Sequence, residues 1–271
     1  MYMNDCIALE HPLSTYFVRQ EDALDLKGGY GVVYPADVTP AAKAEISATL
    51  PDKVAVKKMK LLPEILPVVV NEIQTLRGLN LPHAVKYYGC FTRKDLVYLV
   101  MEWAQGYELA EILNNPEVYL SQSVKGEIAF ELAKAIQEFH TAGYTHRDIK
   151  VDNVMFSLRD GRVDGLKLID YGFVCHQTRP CAPGLGTRDY MDSAGRQSDF
   201  ESLVRADWYA YGVTLLLLYQ NSFARVFRKS TPAIIKALLN PQEKMRPSPE
   251  EIMDSFRPRR SRRTTSKTIY E

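Results

Sequence analysis

Cysteine is scarce in this chain of 271 residues, which has four: Cys6, Cys90, Cys175 and Cys181. They are too few and too scattered for a disulfide framework, and a chain of this length can fold without covalent staples. A reducing, intracellular and cytoplasmic setting is therefore the expectation. Long hydrophobic runs are also missing. The greasiest stretch, WYAYGVTLLLLY at 208–219, falls well short of the ~20 residues needed to span a bilayer and reads as a buried core helix, so no transmembrane segment is expected. The N-terminus, MYMNDCIALEHPLSTYF, carries acids and a proline and no uninterrupted apolar stretch, which argues against a cleaved secretory signal. Nor does charge of one sign prevail. The 34 basic and 33 acidic side chains leave a net charge of +1, which speaks against a dedicated nucleic-acid binder.

What is present, 46% hydrophobic and 25% charged residues, matches an average globular protein and excludes disordered, collagenous and coiled-coil classes. The first hundred residues read mainly as strands, at 31–34, 53–59 and 96–100, with one helix around 69–77. Residues 36–52 read as an insertion between two strands, broken by Pro35, Pro40 and Pro51, with a short helical AAKAEISA inside it. From Tyr107 onward the pattern turns helical. It is clearest at 125–141, where Ile128, Leu132, Ile136 and Phe139 share one face, Lys125, Glu127, Glu131, Lys134 and Glu138 lie elsewhere on the wheel, and Gly143 supplies a C-cap. A strand-rich N-terminal third and a helix-rich remainder thus meet near residues 102–106, and a ligand cleft is expected between two such lobes. The expected divisions are an extension at 1–15, lobes at 16–104 and 105–256, and a basic tail at 257–271 with five arginines and one lysine.

The sharpest chemical signal is HRDIKVDN at 146–153, followed by LIDYG centred on Asp170. Two carboxylates and an amide on loops suit phosphoryl transfer. Asp148 can orient a hydroxyl and accept its proton, Asn153 and Asp170 offer hard oxygen ligands to Mg2+, and Lys150 can meet the γ-phosphate charge. Each fragment alone is ordinary loop composition, but their joint order is not. The chain resembles eukaryotic-type serine/threonine protein kinases over roughly residues 16–256.

That resemblance implies an α+β, bilobal protein-kinase fold, with a small β-rich lobe holding one main helix and a larger helical lobe. It also implies ATP and Mg2+ as cofactors and proteins as substrates, with an activating protein as a further partner. KGGYGVVY at 27–34 is similar to the Gly-rich loop, so Leu26, Gly28, Gly29, Gly31 and Val33 are expected against ATP. Lys57 in VAVKK matches the phosphate-binding lysine and Glu72 its ion-pair partner. VYLVMEWAQGYEL is similar to the hinge. Met101 then takes the gatekeeper position, the backbone from Glu102 to Ala104 faces adenine, and Glu108 faces the ribose. Asp207 opens a helix similar to the one that anchors the catalytic loop. Gly186-Thr187 and Lys150 favour serine/threonine specificity, with Thr187 expected to bond Asp148 and Lys150. Arg147 marks kinases whose activation loop is ordered by a phosphate, for which Thr178 is the evident acceptor and Thr187 a second candidate.

The pattern breaks in four places. Leu26 replaces the first glycine of the loop, and Tyr171 replaces phenylalanine, adding a hydroxyl that needs a partner if buried. The A-P-E motif is replaced by Asp192-Ser193-Ala194, as it is altered in the active casein kinase group, and Arg246 is expected to find a substitute acid in Asp192, Asp199 or Glu201. Only 38 residues separate Asp207 from Arg246, which shortens the C-lobe. Cys175, His176 and Cys181 are one ligand short of a closed zinc site; the two cysteines read by default as ordinary loop thiols, with a redox-sensitive pair as the alternative. The tail's RRSRRTTSK allows a nuclear-import, membrane or nucleic-acid contact, or simply a solvated end, and includes Thr265 as a candidate acceptor. Two alternatives stay open at this point: a kinase-like nucleotide-binding scaffold and a small-molecule phosphotransferase.

Overall fold

The computed structural model describes residues 6–20, 26–28, 30–192, 198–220 and 231–257. The expectations placed on Gly29, on Ser193 and Ala194, and on the tail beyond residue 257 lie outside these. The chain forms two compact units, one of residues 1–80 with 85–104 and one of residues 81–84 with 105–271. The first unit is built on β1 (Ile7–Ala8), β2 (Phe17–Arg19), β3 (Leu26–Gly28), β4 (Gly31–Val38), α1 (Pro40–Glu45), β5 (Lys53–Lys60), α2 (Leu66–Gly78), β6 (Tyr87–Arg93) and β7 (Leu96–Glu102). Its sheet runs β1-β6-β7-β5-β4-β2, with β3 also on β4. The pairing is antiparallel except between β1 and β6.

Side chains alternate across a strand, so Val54 and Val56 of β5 face one way and Lys57 the other. Val54 and Val56 join Leu13, Phe17, Tyr34, Leu50, Phe91 and Tyr98 in a core on that face, where each large apolar side chain contributes about 1.5–3 kcal/mol. The 36–52 insertion helps build it. Thr39 caps α1 by accepting the Ala42 N–H and donates its hydroxyl to Thr15 O at 2.8 Å, while the Tyr16 hydroxyl reaches Glu45 at 3.0 Å. Cys6 is bonded to Cys90 of β6 and Cys175 to Cys181. This corrects the reading of the cysteines as scattered free thiols, because chain separation of 84 residues in the first pair says nothing about distance once β1 lies beside β6. The inference to a reducing compartment drawn from those thiols loses its support.

The second unit holds β8 (Tyr107–Glu108), α3 (Leu109–Asn114), α4 (Gln122–Thr141), β9 (Tyr144–Thr145), β10 (Val154–Arg159), β11 (Arg162–Leu168), β12 (Cys175–His176), α5 (Phe200–Gln220), α6 (Ala233–Leu238) and α7 (Pro249–Phe256). α4 begins three residues before the periodicity does, because Ser121 caps it through Val124 N–H at 3.3 Å. Its ending needs Gly143, whose φ is 80° and whose added Cβ would stand 2.6 Å from the Gln177 side chain. Lys125 and Glu127, placed off the apolar face by the sequence, are buried. Glu127 accepts the Val163 N–H at 2.9 Å and Arg162 Nε at 3.1 Å, and so anchors β11. The β10–β11 hairpin turns at Asp160 and Gly161, both at positive φ, the signature of a tight Asp-Gly turn. The apolar 208–219 stretch is the buried body of α5. No helix among the described residues is long and apolar enough to cross a membrane.

His83, buried among polar groups, fixes the 81–84 segment to α4. Nδ1 lies 2.8 Å from Glu138 and Nε2 3.2 Å from Glu131, whose carboxylate also takes Lys134 at 2.8 Å. Burial opposes charge on the ring most strongly and Lys134 adds to that, but the two carboxylates together raise its pKa, and hydrogen bonding to His83 helps lower that of Glu131 to about 2. The imidazolium therefore stabilises the fold fully below the unfolded value of about 6.5, and this is lost as pH rises through the raised folded value. Glu131 acts oppositely, its contribution being lost only as pH falls from about 4.3 towards its depressed value. Thermal melts of the wild type and His83→Gln should differ most at about pH 5–6, and the gap should shrink as pH rises through the raised folded value. A gap that stays constant across that range contradicts a charged His83.

Candidate active site

In the first unit, strand alternation and the register of β5 against its neighbours place Lys57 opposite Val33 of β4 and Leu99 of β7. Its ammonium lies 2.7 and 2.8 Å from the two carboxylate oxygens of Glu72 on α2. Both residues are buried, at 4% and 1% exposure, so each charge depends on the other. Met101 is buried on β7 opposite Ala55. Glu102 is braced at the strand end, its N–H on Lys86 O at 2.8 Å and its carboxylate on the Lys86 N–H at 3.0 Å. Gly28 and Gly31 pair across the β3–β4 turn, beside Leu26 opposite Val33. Gly31 is required by packing, since a Cβ there would meet Lys58 O at 2.5 Å.

In the second unit the catalytic-loop residues form one hydrogen-bonded cluster. Asp148 Oδ1 accepts the Thr187 N–H at 3.0 Å and its hydroxyl at 2.6 Å. Asp148 Oδ2 accepts Asn153 Nδ2 at 3.0 Å and lies 2.9 Å from Lys150 Nζ. Lys150 also donates to the Thr187 hydroxyl at 3.0 Å. Thr187, expected to contact both residues, is thus committed to holding them. The loop is held from below by Asp207 of α5, which accepts the backbone N–H of His146 and of Arg147, each at 2.8 Å, and lies 2.9 Å from His140 Nε2. Those bonds support Arg147 in the left-handed region at φ 69°, a conformation that costs a non-glycine residue energy.

Asp170, also left-handed at φ 65°, follows Ile169, whose N–H bonds Asn153 O at 3.0 Å. That bond brings Asp170 beside Asn153. The Asn153 side-chain nitrogen donates to Asp148 O at 2.7 Å as well as to Oδ2, so the amide is oriented and its oxygen is the end left for a cation. Two oxygen donors suit Mg2+, which completes its shell with phosphate and water. Tyr171 is fully buried and its added hydroxyl finds Leu168 O, with the ring stacked on Phe139 at 6.3 Å. Glu108 pairs with Met155 across β8 and β10. Burial, and then the charges of Asp152 and Glu111, push its pKa up to about 7 against the opposing pull of Lys150. Thr178 is exposed, with its hydroxyl 2.7 Å from His176 Nδ1.

Of the three acids offered as partners for Arg246, Asp192 is the one that meets it, at 2.6 Å with both side chains buried. Arg246 also donates to Asn240 O at 3.0 Å and lies over the Tyr209 ring. Removing one partner from such a pair costs about 3–5 kcal/mol. Asp192→Ala is accordingly expected to lose about that much in denaturant unfolding, with Asp192→Glu recovering part of it. An unchanged midpoint for Asp192→Ala contradicts the substitution of this acid for the missing glutamate.

Residues 27–232 match the family model for the protein kinase domain. Serine/threonine-protein kinase pakA of Dictyostelium discoideum is 28% identical over 178 residues, which is 65% of this chain and 14% of that protein. Serine/threonine-protein kinase SIK2 of Gallus gallus is 30% identical over 169 residues, 61% of this chain and 19% of that protein. Ribosomal protein S6 kinase alpha-1 of Homo sapiens is 28% identical over 201 residues, 69% of this chain and 26% of that protein. The chain therefore spans only a minor part of the length of each. With its α+β architecture and a domain match covering most of its length, the chain belongs to the protein kinase family.

Proposed function

We propose that this chain transfers the γ-phosphate of ATP, as its Mg2+ complex, to serine and threonine hydroxyls of proteins. The observation that carries the reading is the closed network of Asp148, Lys150, Asn153 and Thr187. Its hydrogen bonds fix the Asp148 carboxylate in position to orient a substrate hydroxyl and take its proton, and they hold Lys150 ready to meet charge on the transferred group. Lys57, kept extended by Glu72, would bind the α- and β-phosphates. Asn153 and Asp170 would hold Mg2+, which when bound neutralises phosphate charge. The backbone of Glu102 to Ala104 would read adenine, with Met101 behind it, and Glu108, near neutrality partly protonated, is suited to the ribose hydroxyls.

A scaffold role is disfavoured because Lys57, Asp148 and Asp170 are all present. To separate protein from small-molecule acceptors, the enzyme is given γ-labelled ATP with a mixed protein substrate in one reaction and aminoglycosides or sugars in another. Label in protein is expected. Label confined to the small molecules contradicts the proposal.

A further inference from the structure

The disulfide between Cys175 and Cys181 lies in the segment that follows Asp170, with the two Cα atoms 5.9 Å apart and five residues enclosed. One end is anchored beside the catalytic loop, because β12 pairs with β9 and sets Cys175 opposite Thr145, three residues before Asp148. The other end directly precedes Ala182, whose carbonyl accepts a hydrogen bond from Arg147 Nη2. Arg147 is largely buried, and its Nε has no hydrogen-bond partner among the described residues. Burial lowers its pKa against the pull of Asp207, so the bond to Ala182 is a main compensation for a desolvated guanidinium. The same short loop contains Thr178, its hydroxyl turned to His176. Closed at both ends, the loop fixes the Ala182 carbonyl over the arginine next to Asp148 without needing a phosphate.

We propose that Cys175 and Cys181 are a reversible modification site that sets activity: the disulfide clamps Ala182 onto Arg147 and so orders the segment, and reduction releases it. The proposal rests on the kinase reading above. Cys181 is the more exposed of the two residues and reacts first. Its thiolate attacks glutathione disulfide and releases one glutathione thiolate. The Cys175 thiolate then attacks the Cys181 sulfur of the mixed disulfide and releases the second. Two protein thiols lose two electrons and two protons, and one glutathione disulfide becomes two glutathione thiols. Dithiothreitol undoes the bond by attacking it with one thiol and closing with its second to a cyclic disulfide, so that the two electrons and two protons return to Cys175 and Cys181.

The test compares the wild type, a Cys175→Ser/Cys181→Ser variant and a Cys6→Ser/Cys90→Ser variant, each after dithiothreitol and after glutathione disulfide, with bond status read by mass spectrometry. Phosphate transfer by the wild type and by the Cys6/Cys90 variant should fall roughly tenfold on reduction, the order expected from one charge-assisted hydrogen bond, and return on oxidation. The Cys175/Cys181 variant should be low and indifferent to both reagents. Hydrogen exchange at amides 176–182 is recorded in parallel and should lose protection only where that bond is broken. Equal transfer and equal protection with the bond intact and broken overturn the proposal. Transfer absent from every form while protection still follows the redox state supports the clamp and overturns the kinase reading.

Discussion

Replacing Asp148 by asparagine is expected to lower phosphate transfer about a thousandfold, within the range that a positioned general base contributes, while leaving nucleotide affinity almost unchanged. The reason lies in the geometry. The Asp148 carboxylate is nearly buried and its two oxygens are shared among Thr187, Asn153 and Lys150. Asparagine preserves the shape but presents an amide nitrogen to groups that donate, and it cannot take a proton from an alcohol. Initial rates with γ-labelled ATP and a fluorescent-nucleotide titration on the same preparations separate the effects. A rate loss matched by an equal loss of ATP affinity would mean that Asp148 serves binding instead.

The Lys57→Met enzyme is expected to lose about 10²–10³ in transfer rate, the scale of removing an oriented charge from an active site, together with about 3–5 kcal/mol of stability, because the buried Glu72 carboxylate loses its ion pair with Lys57. Stability and rate can be pulled apart here. Pairing Lys57→Met with Glu72→Met removes both charges, and replacing such a pair by apolar groups is often neutral. The double variant should therefore melt near the wild type yet stay as slow as Lys57→Met. Recovery of rate along with stability would assign the pair a purely structural role.

Much of this was legible in the sequence because the informative residues act locally. Asp148, Lys150 and Asn153 sit within one eight-residue stretch, and the alternation of Val54, Val56 and Lys57 already assigns the lysine to the face opposite the apolar residues. The α4 stripe was readable for the same reason. Periodicity could not reveal the partners brought together by the fold. Glu127 lies on the expected polar arc of α4 but is buried because β11 crosses it and needs an acceptor for Val163. His83, in a short segment without periodicity, depends on two acids about fifty residues away. The cysteines carried no spacing signal, yet β1 beside β6, with Ile7 opposite Phe91, sets Cys6 against Cys90, and a short loop returns Cys181 to Cys175. The β10–β11 hairpin interrupts the helical pattern expected of that half, and its signal is confined to the two residues Asp160-Gly161 of the turn.

The central claim is that the Asp148 cluster delivers phosphate to an aliphatic hydroxyl on protein. Phosphoamino-acid analysis tests it most directly: a mixed protein substrate is incubated with γ-labelled ATP and Mg2+, hydrolysed and separated, with the Asp148→Asn enzyme as the blank. Phosphoserine and phosphothreonine well above that blank are predicted. Protein label equal to the blank, or label on tyrosine alone, would contradict the account.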